Sequence, residues 1–387
     1  MNILRKLRGK ESFYALLLAG IAIRVVLLPV ESQDMSTFLY RWYDYIVEHG
    51  AWTSLGAEFS NYSPPYMYIL SLAALSIGWL PKLIAIKSFS ILFDFVNAFL
   101  IYRIVKLHQR NEIALLAPVI FLCLPTIFLN SSAWGQSDGM YACFVLACLF
   151  FVLKEKFLPA ILFFGIAFSF KAQAAFIIPF LFLLTLKKRI PWYYYFLVPV
   201  VYLVMMIPAL LAGRTLSGVL GIFLNQADYY KDLSKNAPNL YLFISNEYYS
   251  SAVVIGLTLT VVLTILWSVG YAIKIKHFER ELMMLCATVS VAAVPFFLPK
   301  MHERYFYLME VFTLLLAFFI PNTWFAVLGA QVVSLITYYV YLVLNSQTSL
   351  SVPIPLYLGF SSAVNLFLIG YLLWKQYNFI QNQVESA

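Results

Sequence analysis

Charge is scarce in this chain: of its 387 residues only 11% are Asp, Glu, Lys or Arg, against 62% hydrophobic, and the mean hydropathy is +0.82. Soluble domains carry about 25% charged residues, so a water-soluble fold is excluded. Cysteine is scarce too. Cys123, Cys143, Cys148 and Cys286 all fall inside apolar runs, where a thiol behaves as a small hydrophobe, and no disulfide framework is implied. There is no Gly-rich nucleotide loop, no D-x-D carboxylate pair of the sort that holds a nucleotide-sugar metal ion, no internal repeat and no low-complexity tract. A metal site built from His302, Glu303 and Asp34 has neither H-E-x-x-H spacing nor a Cys/His cluster behind it, so neither a bound metal nor a cofactor is expected. The net charge of +8 sits in short basic clusters between apolar segments, which argues against a nucleic-acid partner.

What the chain does have is a succession of apolar stretches from residue 12 to residue 374, each close to the roughly 20 residues that cross a bilayer as a helix. Strands of a membrane barrel would alternate in polarity, and runs such as 177–186 and 253–267 do not. The expected fold is a single all-α transmembrane bundle over 1–387. Its spans fall at about 12–30, 83–106, 112–130, 138–153, 157–170, 172–186, 192–211, 251–273, 281–299, 306–320, 323–344 and 354–374. The segment 12–30 follows Arg5, Lys6, Arg8 and Lys10 but is longer than a signal h-region and lacks a small-residue cleavage site, so it reads as a retained helix.

The basic clusters 5–10, 103–110, 154–156, 187–189 and 274–280, with Lys375, mark the cytoplasmic side and place both termini there. Segment 66–80 breaks this parity and reads as re-entrant or juxtamembrane. The pair 157–170 and 172–186 is short for two crossings, which suggests half-depth helices meeting near Lys171. Loops 31–65, 130–137, 213–250, 300–304 and 345–353 then face outside and carry most of the unusual polar residues.

Asp34 stands just past the first helix in a loop rich in aromatics, where a carboxylate can take a proton from a hydroxyl; the plainer alternative is capping of a helix that starts near Met35. Tyr62 opens Tyr62-Ser-Pro-Pro-Tyr66, with prolines that fix the backbone and aromatics suited to an interface. In Trp134-Gly-Gln-Ser-Asp138, Gln136 and Asp138 can hydrogen-bond sugar hydroxyls and Trp134 can stack on a sugar face. Lys171 has mostly apolar residues on both sides, which costs at least about 2.5–3.5 kcal/mol unless the charge is paired or watered, and an anionic lipid phosphate is a natural partner. His302, Glu303 and Arg304 crowd a short external turn, where His302 and Arg304 can grip a phosphate and Glu303 can orient them. Arg24, Lys87 and Asp94 read as members of an internal polar network.

Five elements in order, Gln33-Asp-Met35 with Phe38 and Trp42, Tyr62-Ser-Pro-Pro-Tyr66, Trp134-Gly-Gln-Ser-Asp138, Phe170-Lys-Ala-Gln173 and Met301-His-Glu-Arg-Tyr305, resemble the GT-C superfamily of membrane glycosyltransferases. Within it they are similar to the bacterial proteins related to the GPI-anchor second mannosyltransferase. The resemblance covers about residues 1–310, leaving 311–387 as additional transmembrane helices. It implies a hexosyltransferase, with mannose as the relatives' sugar, that uses a polyprenyl-phosphate-linked donor and a lipid, glycan or protein acceptor. It also implies a bacterial plasma membrane setting with the site facing the periplasm, Asp34 as the base, and Lys171, His302 and Arg304 as donor-phosphate contacts, with Gln173 in the same substrate-binding motif. The chain departs from several relatives in having Glu31 three residues before Asp34 instead of an adjacent acid. The competing readings are a transporter or flippase of lipid-linked saccharides, which would show paired halves absent here, and a polysaccharide ligase or polymerase, which would have a larger external loop than 213–250.

Overall fold

Backbone amides in hydrocarbon must find partners within their own segment, and the uninterrupted apolar runs answer with helices. A computed structural model describes residues 10–344 and 354–385. It is all-α apart from a short parallel pairing of Ser234–Lys235 with Met301–His302. The basic residues at 5, 6 and 8 and the expected external loop 345–353 lie outside the described residues.

Among the described residues six helices are long and apolar enough to cross a membrane: Lys82–Val105, Trp192–Leu211, Asn246–Lys274, Arg280–Phe297, Pro321–Leu344 and Ile354–Gln383. They mark an integral membrane protein. A seventh span arises if Asn111–Leu122 and Pro125–Trp134, bent by 50°, count as one. The bend has a local cause, since Leu124 precedes a proline and is held extended at ψ 126°.

Of the five remaining expected crossings, the first falls on Lys10–Leu27, which carries Lys10, Glu11 and Arg24, and the other four on shorter apolar helices, Asp138–Leu153, Phe157–Phe170, Ala172–Leu186 and Tyr307–Phe319. Helices of 13 to 16 residues reach only about 20–24 Å. Two of them, Asp138–Leu153 and Tyr307–Phe319, are buried along almost their whole length, whereas only 17% of the most apolar stretch of Trp192–Leu211 is buried. Short helices therefore form much of the middle of the bundle, together with the 72% buried Arg280–Phe297, and other long helices such as Trp192–Leu211 and Asn246–Lys274 leave most of their apolar surface exposed. The break between Phe157–Phe170 and Ala172–Leu186 falls at Lys171, whose backbone is extended (φ −151°, ψ 137°).

The bundle has two unlike ends. At one, Arg280 bonds the carbonyl of Leu107, Gln109 bonds that of Phe318 (2.7 Å), Lys187 bonds that of Ile275 (2.8 Å), and Arg189 pairs with Glu155 (2.8 Å). The basic loops around 106–110, 154–156, 187–189 and 274–280 are thus gathered together. At the other end lie the polar loops after residues 30, 60, 130 and 300. Helix Pro64–Ala74 stays at this end: Ser63 donates to the Phe170 carbonyl at 2.7 Å, and by Lys82 the chain is back against Asp44, 2.8 Å away.

Few charges enter the bundle, and one buried pair ties three of its elements together. Arg24 donates to Asp94 through Nε (3.0 Å) and Nη2 (2.7 Å) and to the Leu122 carbonyl (2.7 Å), while Ser131 donates to the same Asp94 oxygen at 2.6 Å. This knot ties the first helix, Lys82–Val105 and the turn before Trp134. Lys87 lies one end of that first helix, donating to the carbonyls of Leu27, Leu28 and Val30 as a cation at a helix C-terminus does.

Removing one partner of a buried pair strands the other. Asp94→Ala is expected to lower unfolding stability in detergent by about 3–5 kcal/mol, and the double variant Arg24→Leu/Asp94→Ala to recover part of that loss. Additive losses in chemical denaturation would contradict the pairing.

Candidate active site

Three π-helical segments meet around one cleft at the polar end: Met35–Leu39 and Val340–Leu344 line it through Phe38, Leu39 and Tyr341, and the buried Leu129–Trp134 backs it. A π turn adds a residue and turns the following side chains away from the regular helical stripe, and such turns recur at functional sites. The cleft encloses about 860 Å³ with its mouth and is lined by Asp34, Tyr62, Gln136, Lys171, Gln173, His302, Glu303 and Arg304. All five sequence elements, widely separated along the chain, contribute these residues, and Trp134 and Asp138 also support the wall from behind.

Asp34 does not cap the helix that follows it. Its own backbone is already helical and its side chain makes no capping bond; Ser32 accepts from the Met35 amide instead, at 3.3 Å. The Asp34 carboxylate is held by three donors: Trp134 Nε1 at 2.9 Å and Gln136 Nε2 at 2.6 Å on one oxygen, and the Tyr341 hydroxyl at 2.5 Å on the other. A carboxylate offers about four acceptor positions, so one remains toward the cleft. Gly135 makes the tight turn between two of those donors, with φ +77°, and a Cβ there would sit 2.6 Å from the Met35 methyl.

Trp134 has no exposed face to offer a sugar. It is fully buried and stacks on Tyr341 with ring centroids 4.5 Å apart. Its contribution is to position Asp34. Asp138 is equally withdrawn, with 1% exposure: it accepts from Lys171 at 2.6 Å and from Asn130 at 3.0 Å. Lys171, expected to meet a phosphate, therefore has its charge matched inside the protein. The expected sugar contacts in this motif reduce to Gln136, whose Oε1 also accepts from Tyr62 at 3.3 Å.

Arg304 is the hub. Its guanidinium lies 3.2 Å from Glu303, 3.5 Å from Asp138 and 3.7 Å from Asp34, and donates to the Tyr62 hydroxyl at 3.4 Å. Burial pushes the Glu303 carboxyl up to about 7, against the pull of Arg304. His302 is driven the other way: burial, reinforced by the charges of Arg304, Lys235 and Lys171, holds it well below the usual histidine range. It is a neutral hydrogen-bonding group near pH 7 and no cation for a phosphate.

A cleft cation with no ion pair is Lys235, which does not stand out in the sequence. Its ammonium makes no hydrogen bond and sits over the Tyr230 ring at 3.1 Å, while its backbone pairs with the His302 strand and its carbonyl accepts from the Glu303 amide at 3.1 Å. Burial holds its ammonium below the ordinary lysine value. Lys235, Gln173 and His302 line both the cleft and an adjoining groove walled by Phe176, Phe223, Leu224, Leu257, Val294 and Leu298. Among the described residues no group of three or more His, Cys, Asp or Glu comes together as a metal site would require.

Tyr341 was likewise not singled out, because it ends an apolar span in the part of the chain read as additional helices; the run of tyrosines at 338, 339 and 341 was the available signal. Lys235 had none, being one of several lysines in a long polar loop. No protein-family model matches the chain, and a search of curated proteins returns no significant match.

Glu303 gives a pH test. Its folded-state value near 7 lies above the ordinary 4.5, so between those values the folded protein binds more protons than the unfolded one, and stability falls as pH rises through that window. The thermal midpoint of Glu303→Gln relative to wild type is expected to rise from about pH 5 to about pH 7.5 and to level off above; a difference independent of pH would contradict the burial of this carboxyl.

Proposed function

We propose that the protein is an integral membrane glycosyltransferase, moving a hexose from a polyprenyl-phosphate-linked donor to an acceptor hydroxyl at the external face. The observation that carries this reading is the junction of two environments at one carboxylate. Asp34 has one acceptor position open to a polar cleft, and that cleft runs into an apolar groove with an unpaired lysine at the join. A lipid-linked sugar phosphate has the matching sequence of parts: an apolar tail for the groove, an anionic phosphate for Lys235, and hydroxyls for Gln136, Gln173 and Tyr62.

In the reaction, the acceptor O–H gives its proton to Asp34 as its oxygen attacks the anomeric carbon. The C1–O bond to phosphate breaks, and its electron pair leaves with the polyprenyl phosphate. Attack opposite the leaving group inverts the anomeric centre. The negative charge that grows on the bridging oxygen is met by Lys235, while Arg304 fixes Asp34 and Tyr62 before substrate arrives. His302 supplies a neutral N–H. The mannose preference and the bacterial setting come from the resemblance alone.

The two ends of the bundle support the orientation, since basic loops favour the cytoplasmic side and the cleft is at the other end. About a dozen passes follow if the shorter inner helices cross a bilayer thinned around them. A translocation route would need polar lining through both leaflets, whereas the polar cleft is confined to one end.

Two kinetic outcomes test the assignment in nanodiscs with a short-chain polyprenyl-phosphate hexose. Asp34→Asn keeps the shape but loses the base, and transfer should drop by about 10²–10⁴-fold with donor binding retained; wild-type turnover would sink the role. Lys235→Gln should raise the donor KM by about tenfold, the worth of one charge-assisted contact. An unchanged donor KM with a raised acceptor KM would assign Lys235 to the other substrate.

A further inference from the structure

A second groove adjoins the cleft, sharing Phe38, Trp42, Asn61, Gln226 and Tyr229 with it, and apart from Gln226 it has no lining residue in common with the apolar groove. It is thus a separate approach to Asp34. Its other polar residues are Glu58, Ser60, Asn225 and Arg214. The floor is built by the helices Leu216–Leu220 and Ile222–Tyr229 and tied to the opposite wall by Gln226, which donates to the Asn61 carbonyl at 2.5 Å.

Arg214 is the unusual member. It is 7% exposed, its Nε has no hydrogen-bond partner, and it forms no ion pair. The neighbouring tyrosines offer it nothing: Tyr68 donates to the Met205 carbonyl at 2.9 Å and Tyr202 to that of Val219 at 2.5 Å. The nearest acid, Glu58, is exposed and turned onto Gly218, where one carboxylate oxygen occupies the place a Cβ would take, 1.8 Å from it. A buried guanidinium Nε left without an acceptor is costly, and Arg214 lines the groove. The cost is relieved when an anionic oxygen group enters, because the planar fork of arginine matches phosphate and carboxylate oxygens.

We propose that this groove is the acceptor subsite and that Arg214 binds an anionic oxygen group, phosphate or carboxylate, carried by the acceptor. The assignment of the occupant as acceptor rests on the glycosyl-transfer reading; the anion preference does not. Asn61, Asn225 and Glu58 supply donors and acceptors for hydroxyls beside the anion, and Phe38 and Trp42 wall the path toward Asp34. Both an anionic lipid headgroup and an anionic glycan fit this chemistry.

The test uses equilibrium binding to the full-length protein in nanodiscs of neutral phosphatidylcholine, in a Lys235→Gln background so that the donor-side cation is removed. The probes are glucuronate and glucose 6-phosphate against glucose, and dihexanoyl phosphatidate against dihexanoyl phosphatidylcholine. At least one anionic probe should bind about tenfold more tightly than its uncharged or zwitterionic counterpart, Arg214→Gln should abolish the difference and Arg214→Lys should keep part of it. Preference for phosphatidate alone assigns a lipid headgroup; preference for the sugar acids alone assigns a glycan. Glu58→Gln removes the nearest negative charge and should tighten anion binding severalfold, which keeps the test decisive if Arg214→Gln does not fold. Equal affinities for every pair, a preference that survives in folded Arg214→Gln, or no tightening in Glu58→Gln would overturn the proposal. None of these readouts needs sugar transfer, so failure of Asp34→Asn to lose activity would leave the anion result standing, and the reverse.

Discussion

Inside a bundle with so few charges, a buried carboxylate is stabilised by a cation beside it, and Arg304 is where three carboxylates find theirs. Its guanidinium is within 4 Å of carboxylates from three separate stretches, Asp34, Asp138 and Glu303. Any one of these acids, buried alone, would resist ionisation. Together with Lys171 on Asp138, the arginine lets the carboxylates stay close without mutual repulsion deciding the geometry. The rest of the cleft follows: Tyr62 is fixed through Arg304 and Gln136, and Gln136 and Trp134 hold Asp34.

The all-α class and the crowding of polar motifs at one end were legible in the sequence because both follow from the cost of polar groups in hydrocarbon. Apolar length announces helices, and a lysine such as Lys171 inside an apolar run announces a partner. What the run did not reveal was the partner's identity. Lys171 looked like a ligand-binding cation because Asp138, 33 residues away, was assigned to a turn and to sugar contacts. The pairing depends on how two short helices lie side by side, which spacing in the sequence does not fix. Trp134 was misjudged for a related reason: an aromatic in a polar turn suggests a stacking platform, but Tyr341 arrives from a late helix and covers it.

Crossing number is the least legible feature, and the cause is physical. Hydropathy counts apolar residues but not whether they face lipid or protein. Asp138–Leu153 is as apolar as a true span yet is wrapped by other helices on nearly every side, so its apolar character serves packing, and its length is free to fall short of the bilayer thickness. Short inner helices also leave a depression at the polar end, and Phe157–Phe170 stops at Lys171 beside that depression. The cleft is in this sense a consequence of helices that end early.

The distribution of paired and unpaired cations then separates structure from substrate. Lys171 and Arg304 are each matched by carboxylates at 2.6 to 3.7 Å, and an incoming phosphate would have to compete with those partners. Lys235 and Arg214 have no such partner, and each lines a different groove leading to Asp34. Both come from the stretch 213–250, which carries no sequence element of the resemblance. On the glycosyl-transfer proposal, an internally neutralised centre beside two unsatisfied cations suits fixed chemistry and exchangeable substrates. The proposed base needs fixed geometry, which paired charges provide. The proposed anionic substrates need open charge, which this stretch provides.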